Sequence, residues 1–325
     1  MSSSTTSEPK QEAPPLGKYL ASTEKKTRDK AIKSLATFLS DDSQKSMSPI
    51  ERTKLWKGLF YCFWMSDKPL VQQDLSQELA NLILLIPSLQ PAIGFLHGFW
   101  EAMVREWAGI DRFRRFVNAT FRLLLRHGWQ PEACDTVNKI LKGKGGPLCP
   151  DDKRVPASLS YHLADIYLEE LDKALNTTDQ ASTPKSHEPS GFSQFHTVQT
   201  RTSNKITYGR MQTALFVPLL DALSARSSLS NTDELDSQQR KRKRSSEIYP
   251  NLTESMCEPG TENAGNHLAQ AIKSPQDVTR DVLKAIFDAA GDADTKDANR
   301  RKMYALWKER TEALEGPPEG DRILH

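Results

Sequence analysis

Four arginines, Arg112, Arg115, Arg122 and Arg126, recur in a stretch where Asp111 is the lone acid. Placed 100° apart on a helix, they fall in an arc of roughly 80°. Phe113, Phe116, Val117, Phe121, Leu123 and Leu124 take the other side. A planar guanidinium donates several N–H groups and suits phosphate oxygens. The stripe is therefore a contact for RNA or an acidic partner, or else a solvated face paired with acids on neighbouring helices. Lys26, Lys30 and Lys33 repeat the pattern over residues 24–39, opposite Ile32, Leu35, Phe38 and Leu39. Arg28 falls on the apolar side, where burial beside a carboxylate of an adjacent helix is expected. A third cationic feature is the run Arg240-Lys241-Arg242-Lys243-Arg244. Such a run in a polar segment is a candidate nuclear localisation signal or nucleic-acid contact, or a chance cluster.

Bond-making chemistry finds less to work with. Lys142-Gly143-Lys144-Gly145-Gly146-Pro147 lacks both the spacing and the preceding strand of a phosphate-binding loop, and reads as a flexible basic loop. His97, His127 and His162 have no second His or Cys three or four residues away, so no metal site is expected. The acid pairs Asp41-Asp42, Asp151-Asp152 and Glu169-Glu170 fall at helix ends or on solvated faces. Cys62 sits in an aromatic helix, where packing is the simpler role. The reading is of a non-enzyme with no catalytic residues, no cofactor and no small-molecule substrate.

The elements that would hold these residues are helical. Residues 51–115 carry Trp56, Trp64, Trp100 and Trp107, four of the six tryptophans in the chain of 325 residues. That aromatic mass implies a densely packed core. Ser48-Pro49-Ile50-Glu51 has the form of a capping box with proline at the first helical position. Ser66-Asp67-Lys68-Pro69 reads as the next start, and Pro87, Gly109 and Gly128 as stops. The helix over 49–65 is apolar on almost every side, which predicts neighbours all round. Antiparallel helices stacked as an α-solenoid would supply them, and so would an irregular helical stack. No alternation of Val, Ile and Thr argues for a sheet, so the fold class is all-α.

Residues 1–14 read as a disordered tail and 15–226 as a helical domain with a flexible insertion at about 176–204. Pro218 is expected to kink or split the helix over 208–226. Residues 227–273 form a polar linker holding the basic run. Residues 274–315 form two C-terminal helices that dock on the body or on a partner, with Ser274-Pro275 opening one and Asp294 capping the other; 316–325 are a tail. Net charge is +2, so any affinity for nucleic acid must reside in local patches. The four cysteines show no paired spacing and read as reduced thiols of an intracellular protein. The N-terminal residues lack a signal-peptide core, and no apolar run is long enough for a membrane span.

Four segments carry a family resemblance: Glu24-Lys25-Lys26-Thr27-Arg28-Asp29-Lys30-Ala31, Leu55-Trp56-Lys57-Gly58-Leu59-Phe60-Tyr61-Cys62, Trp64-Met65-Ser66-Asp67-Lys68-Pro69, and Arg105-Glu106-Trp107-Ala108-Gly109-Ile110-Asp111-Arg112. Over about residues 16–226 the chain resembles the nucleolar ribosomal RNA-processing protein one family. Asp297-Ala298-Asn299-Arg300-Arg301-Lys302-Met303-Tyr304-Ala305-Leu306-Trp307-Lys308 resembles the tail of its shorter, fungal-type members. The resemblance implies a HEAT-like helical fold and a nuclear, nucleolar, non-enzymatic assembly factor of the large ribosomal subunit. It implies pre-ribosomal RNA and other large-subunit assembly factors as partners, and an architectural role for Trp56, Trp64, Trp107 and Asp67. The alternative is a nuclear helical adaptor that binds acidic protein partners without touching RNA.

Overall fold

The computed structural model describes residues 16–41, 47–66, 68–106, 114–176, 193–230, 248–257 and 273–315. They form α1 (Leu16–Leu20), α2 (Lys25–Ser40), α3 (Pro49–Trp64), α4 (Pro69–Leu85), α5 (Leu89–Glu106), α6 (Arg114–Arg126), α7 (Pro131–Lys142) and α8 (Ala157–Leu175). Then come α9 (Ser193–Arg201), α10 (Lys205–Met211), a π-helical turn (Gln212–Phe216), α11 (Val217–Ser230), α12 (Pro250–Cys257), α13 (Pro275–Gly291) and α14 (Asp297–Glu315). Among the described residues there is no strand, and no helix is long and apolar enough to cross a membrane.

The helices stack in two rows. Helices α2, α4, α6 and α8 pack in sequence along one row, and α1, α3, α5, α7 and α9 along the other. Contacts of α1 with α2 and of α4 with α3 and α5 tie the rows together. This alternation is the arrangement of a solenoid, in which each helix pair buries its apolar face against the next. Helix α3 starts where the sequence says: the Ser48 hydroxyl accepts from the Glu51 N–H at 3.3 Å, and the Glu51 carboxylate accepts from the Ser48 N–H at 2.9 Å. The Ser274–Asp277 pair repeats the device at the head of α13. The expected start at the segment ending in Pro69 stands, with Pro69 the first residue of α4; Ser66 belongs to the preceding turn. It is buried and bonds the Cys62 carbonyl at 3.2 Å, closing α3, while Lys68 is the residue before α4.

Two expected linkers contain helices. Helix α9 lies within 176–204, where Phe195 and Val198 are buried one turn apart. Its remaining apolar content is low, and it is held by partners distant in sequence. Helix α12 lies within 227–273 and is capped from outside: Asp172 of α8 accepts from the Leu252 N–H at 2.9 Å and from the Asn251 amide at 3.1 Å. A cap supplied by another helix leaves no local signal. Pro218 does not split its helix. The π-helical turn before it bonds the Val217 N–H to the Gln212 carbonyl, so the widened turn absorbs the proline. The glycine-rich loop after α7 is anchored rather than loose: Asp152 accepts from the Gly145 N–H at 3.0 Å, and the Leu148 N–H reaches the Leu141 carbonyl at 2.8 Å.

Helices α13 and α14 pack against each other, with α13 against α11, α12 and α9, and α14 against α9. Asn299 of α14 donates its amide to the carbonyls of Gln199, Thr200 and Thr202 at 2.9, 3.2 and 2.7 Å. Arg300 beside it donates to the carbonyls of Ala290, Asp292 and Thr295. Both satisfy the unpaired carbonyls that a helix leaves at its C-terminus. Asp294 does not cap α14, which begins at Asp297; it pairs with Arg201 at the end of α9.

Candidate interaction faces

Lys26, Lys30 and Lys33 stand exposed on the outer side of α2, and none forms an ion pair among the described residues. The opposite side, Ala31, Ile32, Leu35 and Leu39, is core. Arg28 is buried as expected, but its partners are backbone. It donates to the carbonyls of Ser22 and Thr23 at 3.0 and 2.9 Å, so no carboxylate is needed. Those carbonyls belong to the turn between α1 and α2, which the guanidinium fork closes.

Helix α6 is more enclosed, because α4 and α8 flank it. Arg115 and Arg122 are half-buried, and Arg126 is exposed but donates to the Leu84 carbonyl at the end of α4. A cation at a helix C-terminus is favourably placed against its dipole. Arg114, next to the predicted stripe, joins Glu169 at 2.6 Å and Glu170 at 3.3 Å, while Lys173 reaches the same two acids at 2.6 and 3.1 Å. Lys173, and after it Arg114, hold the Glu169 carboxyl below its usual range against partial burial. Arg112 and the run Arg240–Arg244 lie outside the described residues, as do Trp107 and Asp67.

Helix α3 departs most from its sequence reading. Its inner side, Leu55, Trp56, Gly58, Leu59, Cys62 and Phe63, is buried. Trp56 is the hub: its indole N–H donates to the Phe95 carbonyl at 2.9 Å, and its ring meets Phe95, Phe99 and Phe116 at 4.6, 5.5 and 5.8 Å between centroids. Glycines let the neighbours come this close. A Cβ on Gly98 would lie 2.4 Å from Trp56 Cδ1, and one on Gly58 would lie 2.8 Å from the Gly17 Cα. The outer side is not covered. Trp64 is 59% exposed, Ile50 68%, and Tyr61 and Met65 41% each. Trp64 is thus not part of the core, and apolar patterning around the whole helix did not require burial around the whole helix.

Among the described residues, burial holds the most shifted thiols and the imidazole of His196 in their neutral forms. Burial pushes the Cys62 and Cys134 thiols up to about 11, which keeps them protonated and inert at neutral pH. Burial likewise pushes His196, stacked on Phe216 at 4.5 Å, down to about 4, so the ring is neutral. Among the described residues no three His, Cys, Asp or Glu side chains gather to hold a metal ion. The sequence reading missed the exposure of the α3 aromatics and the Asn299–Arg300 latch. The latch pair lies inside the C-terminal motif, and two helix-capping side chains in succession were its available signal.

Fold and faces together define an all-α, solenoid-like protein whose outward features are cationic and aromatic helix faces. The chain belongs to the family described as Nucleolar protein, Nop52, whose model matches residues 11–307. It is 37% identical over 166 residues to the human Ribosomal RNA processing protein 1 homolog B, 33% over 170 residues to the mouse homolog A, and 30% over 174 residues to the Caenorhabditis elegans homolog. These matches cover 47%, 49% and 50% of this chain, and 22%, 34% and 43% of the three relatives. The aligned part is thus less than half the length of each relative.

Proposed function

We propose that the protein is a non-enzymatic nucleolar assembly factor for the large ribosomal subunit. It supports processing of the large-subunit precursor RNA as a helical scaffold within pre-ribosomal particles, among other assembly factors. The family match over residues 11–307, to relatives named for ribosomal RNA processing, carries this reading. On this reading RNA meets the cationic helix faces. The open lysines of α2 serve as the first phosphate contacts, with Arg115, Arg122 and Arg126 of α6 a second set; Arg112, the fourth arginine of the sequence stripe, lies outside the described residues. The run Arg240–Arg244 serves nuclear import. The adaptor reading, with acidic protein partners and no RNA contact, is favoured by one observation, the exposed aromatic and lysine side of α3.

The test is purification of the tagged protein from cells at moderate salt, with bound RNA sequenced and bound proteins identified together. Large-subunit precursor RNA with nucleolar assembly factors is the expected result. A small protein complex without ribosomal precursors would overturn it. Lys26→Glu with Lys30→Glu and Lys33→Glu should weaken RNA recovery and flatten its salt dependence, since each lost phosphate contact lowers the slope by about one.

A further inference from the structure

Ile50, Lys54, Lys57, Tyr61 and Trp64 follow one another at alternating intervals of four and three residues along α3. On a helix they occupy an arc of roughly 80°. All five are exposed, while Leu55, Leu59, Cys62 and Phe63 fill the reverse side. Alternation of four and three is the spacing with which one helix presents a seam to another. Met65 and Lys68 extend this surface past the end of the helix, and both are exposed. Trp64 stacks on Phe60 at 6.2 Å and 24°, and Tyr61 meets Phe60 edge-on at 6.1 Å. The two exposed rings are thereby braced in one orientation, which lowers the entropy lost on contact.

Among the described residues, the charge on this seam has one sign. Lys57 and Lys68 form no ion pair among the described residues, and Lys54 has Glu51 for a neighbour, itself held in the capping box. Tryptophan and tyrosine ringed by lysine are residues that anchor interfaces. The aliphatic members decide between the two anionic partner classes. Single-stranded RNA would stack on Trp64 and Tyr61, yet it has no use for Ile50 or Met65. A helix brings both apolar anchors and carboxylates at matching spacing.

We propose that the outer face of α3 is a docking seam for an acidic amphipathic α-helix of another protein, with apolar anchors against Tyr61, Trp64 and Met65 and carboxylates against Lys54 and Lys57. This occupant does not depend on whether the protein touches RNA.

The experiment places p-benzoylphenylalanine at position 64 of the full chain in cells and identifies the photo-adduct by mass spectrometry. Mixing light and heavy isotope-labelled copies distinguishes a second copy from the chain's own residues. The expected adduct is a segment of a different protein with heptad-spaced apolar residues and a net negative charge. Lys54→Glu with Lys57→Glu should cut its yield by about tenfold or more, and exchanging the segment's acids for lysines should restore it. Both altered positions are exposed, and an unchanged melting temperature confirms that the fold is intact. An adduct to RNA, to a second copy, to the chain's own residues or to a neutral or basic segment would overturn the seam, as would no adduct above the dark control. Absence of ribosomal precursors from the purified particle would refute the functional reading above and leave this result standing.

Discussion

Asn299 is the position where a single amide should decide whether the C-terminal helices stay docked. The side chain is 6% exposed, and its two N–H groups serve three carbonyls at the end of α9. Asn299→Ala removes both donors while leaving Gln199, Thr200 and Thr202 in place. An orphaned buried acceptor costs about 1–3 kcal/mol, and sharing of one N–H between two carbonyls makes about 2–4 kcal/mol the expected total. The loss should be local before it is global. Amide hydrogen exchange should speed up in α9, α13 and α14, with α3 to α6 unchanged, and urea unfolding should show a lowered or separate transition for the C-terminal part. Arg301→Ala is the control, since Arg301 is exposed and its contact is a long 3.4 Å bond to Asp297 within its own helix. If Asn299→Ala changes stability by less than about 0.5 kcal/mol and leaves exchange in α14 as it was, the amide is no latch.

Three further outcomes follow from the core and its neighbours. Gly98→Ala should destabilise by about 1–3 kcal/mol, because the added methyl meets Trp56 Cδ1 at 2.4 Å and Arg52 Cγ at 2.6 Å; a melting temperature equal to the parent's would contradict the packing. Trp56→Ala should cost about 3–5 kcal/mol, whereas Trp64→Ala should stay within about 1 kcal/mol, and chemical denaturation of the pair distinguishes core from surface. His196 binds its proton with a folded value near 4 against 6.5 when unfolded. Between those values the unfolded chain holds the extra proton, so stability falls as pH drops from 6.5 to 4. The loss is on the order of 3 kcal/mol, and His196→Phe should flatten that slope in pH-dependent unfolding.

How far the sequence could be read depended on whether a signal was local. Ser48 with Glu51, and Ser274 with Asp277, bond within one turn, and both helix starts stand where the capping pattern puts them. The all-α stack follows from the same periodicities. Helix α12 has its cap on Asp172, about eighty residues away, and α9 has its carbonyls satisfied by Asn299, about a hundred residues on, so neither advertised itself. The cationic faces were partly legible. Periodicity finds which side of α2 carries Lys26, Lys30 and Lys33. It cannot show that α4 and α8 half-enclose the arginines of α6, because that depends on what lies across the row. Helix α3 misled for a related reason: apolar residues around a whole cylinder do not say which of them will find neighbours.

The docking of α14 on α9 also sets an order of events during synthesis. Residues 193–230 leave the ribosome well before 275–315, yet α11 and α9 are covered by α13 and α14. Until those later helices emerge, part of the second half of the stack lacks its packing partners, and contacts between residues so far apart in sequence form slowly. A nascent chain arrested in this interval displays apolar surface that chaperones and proteases bind. Packing of α13 and α14 covers that surface, and Asn299 and Arg300 close the carbonyl ends of α9 and α13. Burial of α9 and α11 therefore waits on the C-terminal helices rather than on the synthesis of α9 and α11 themselves.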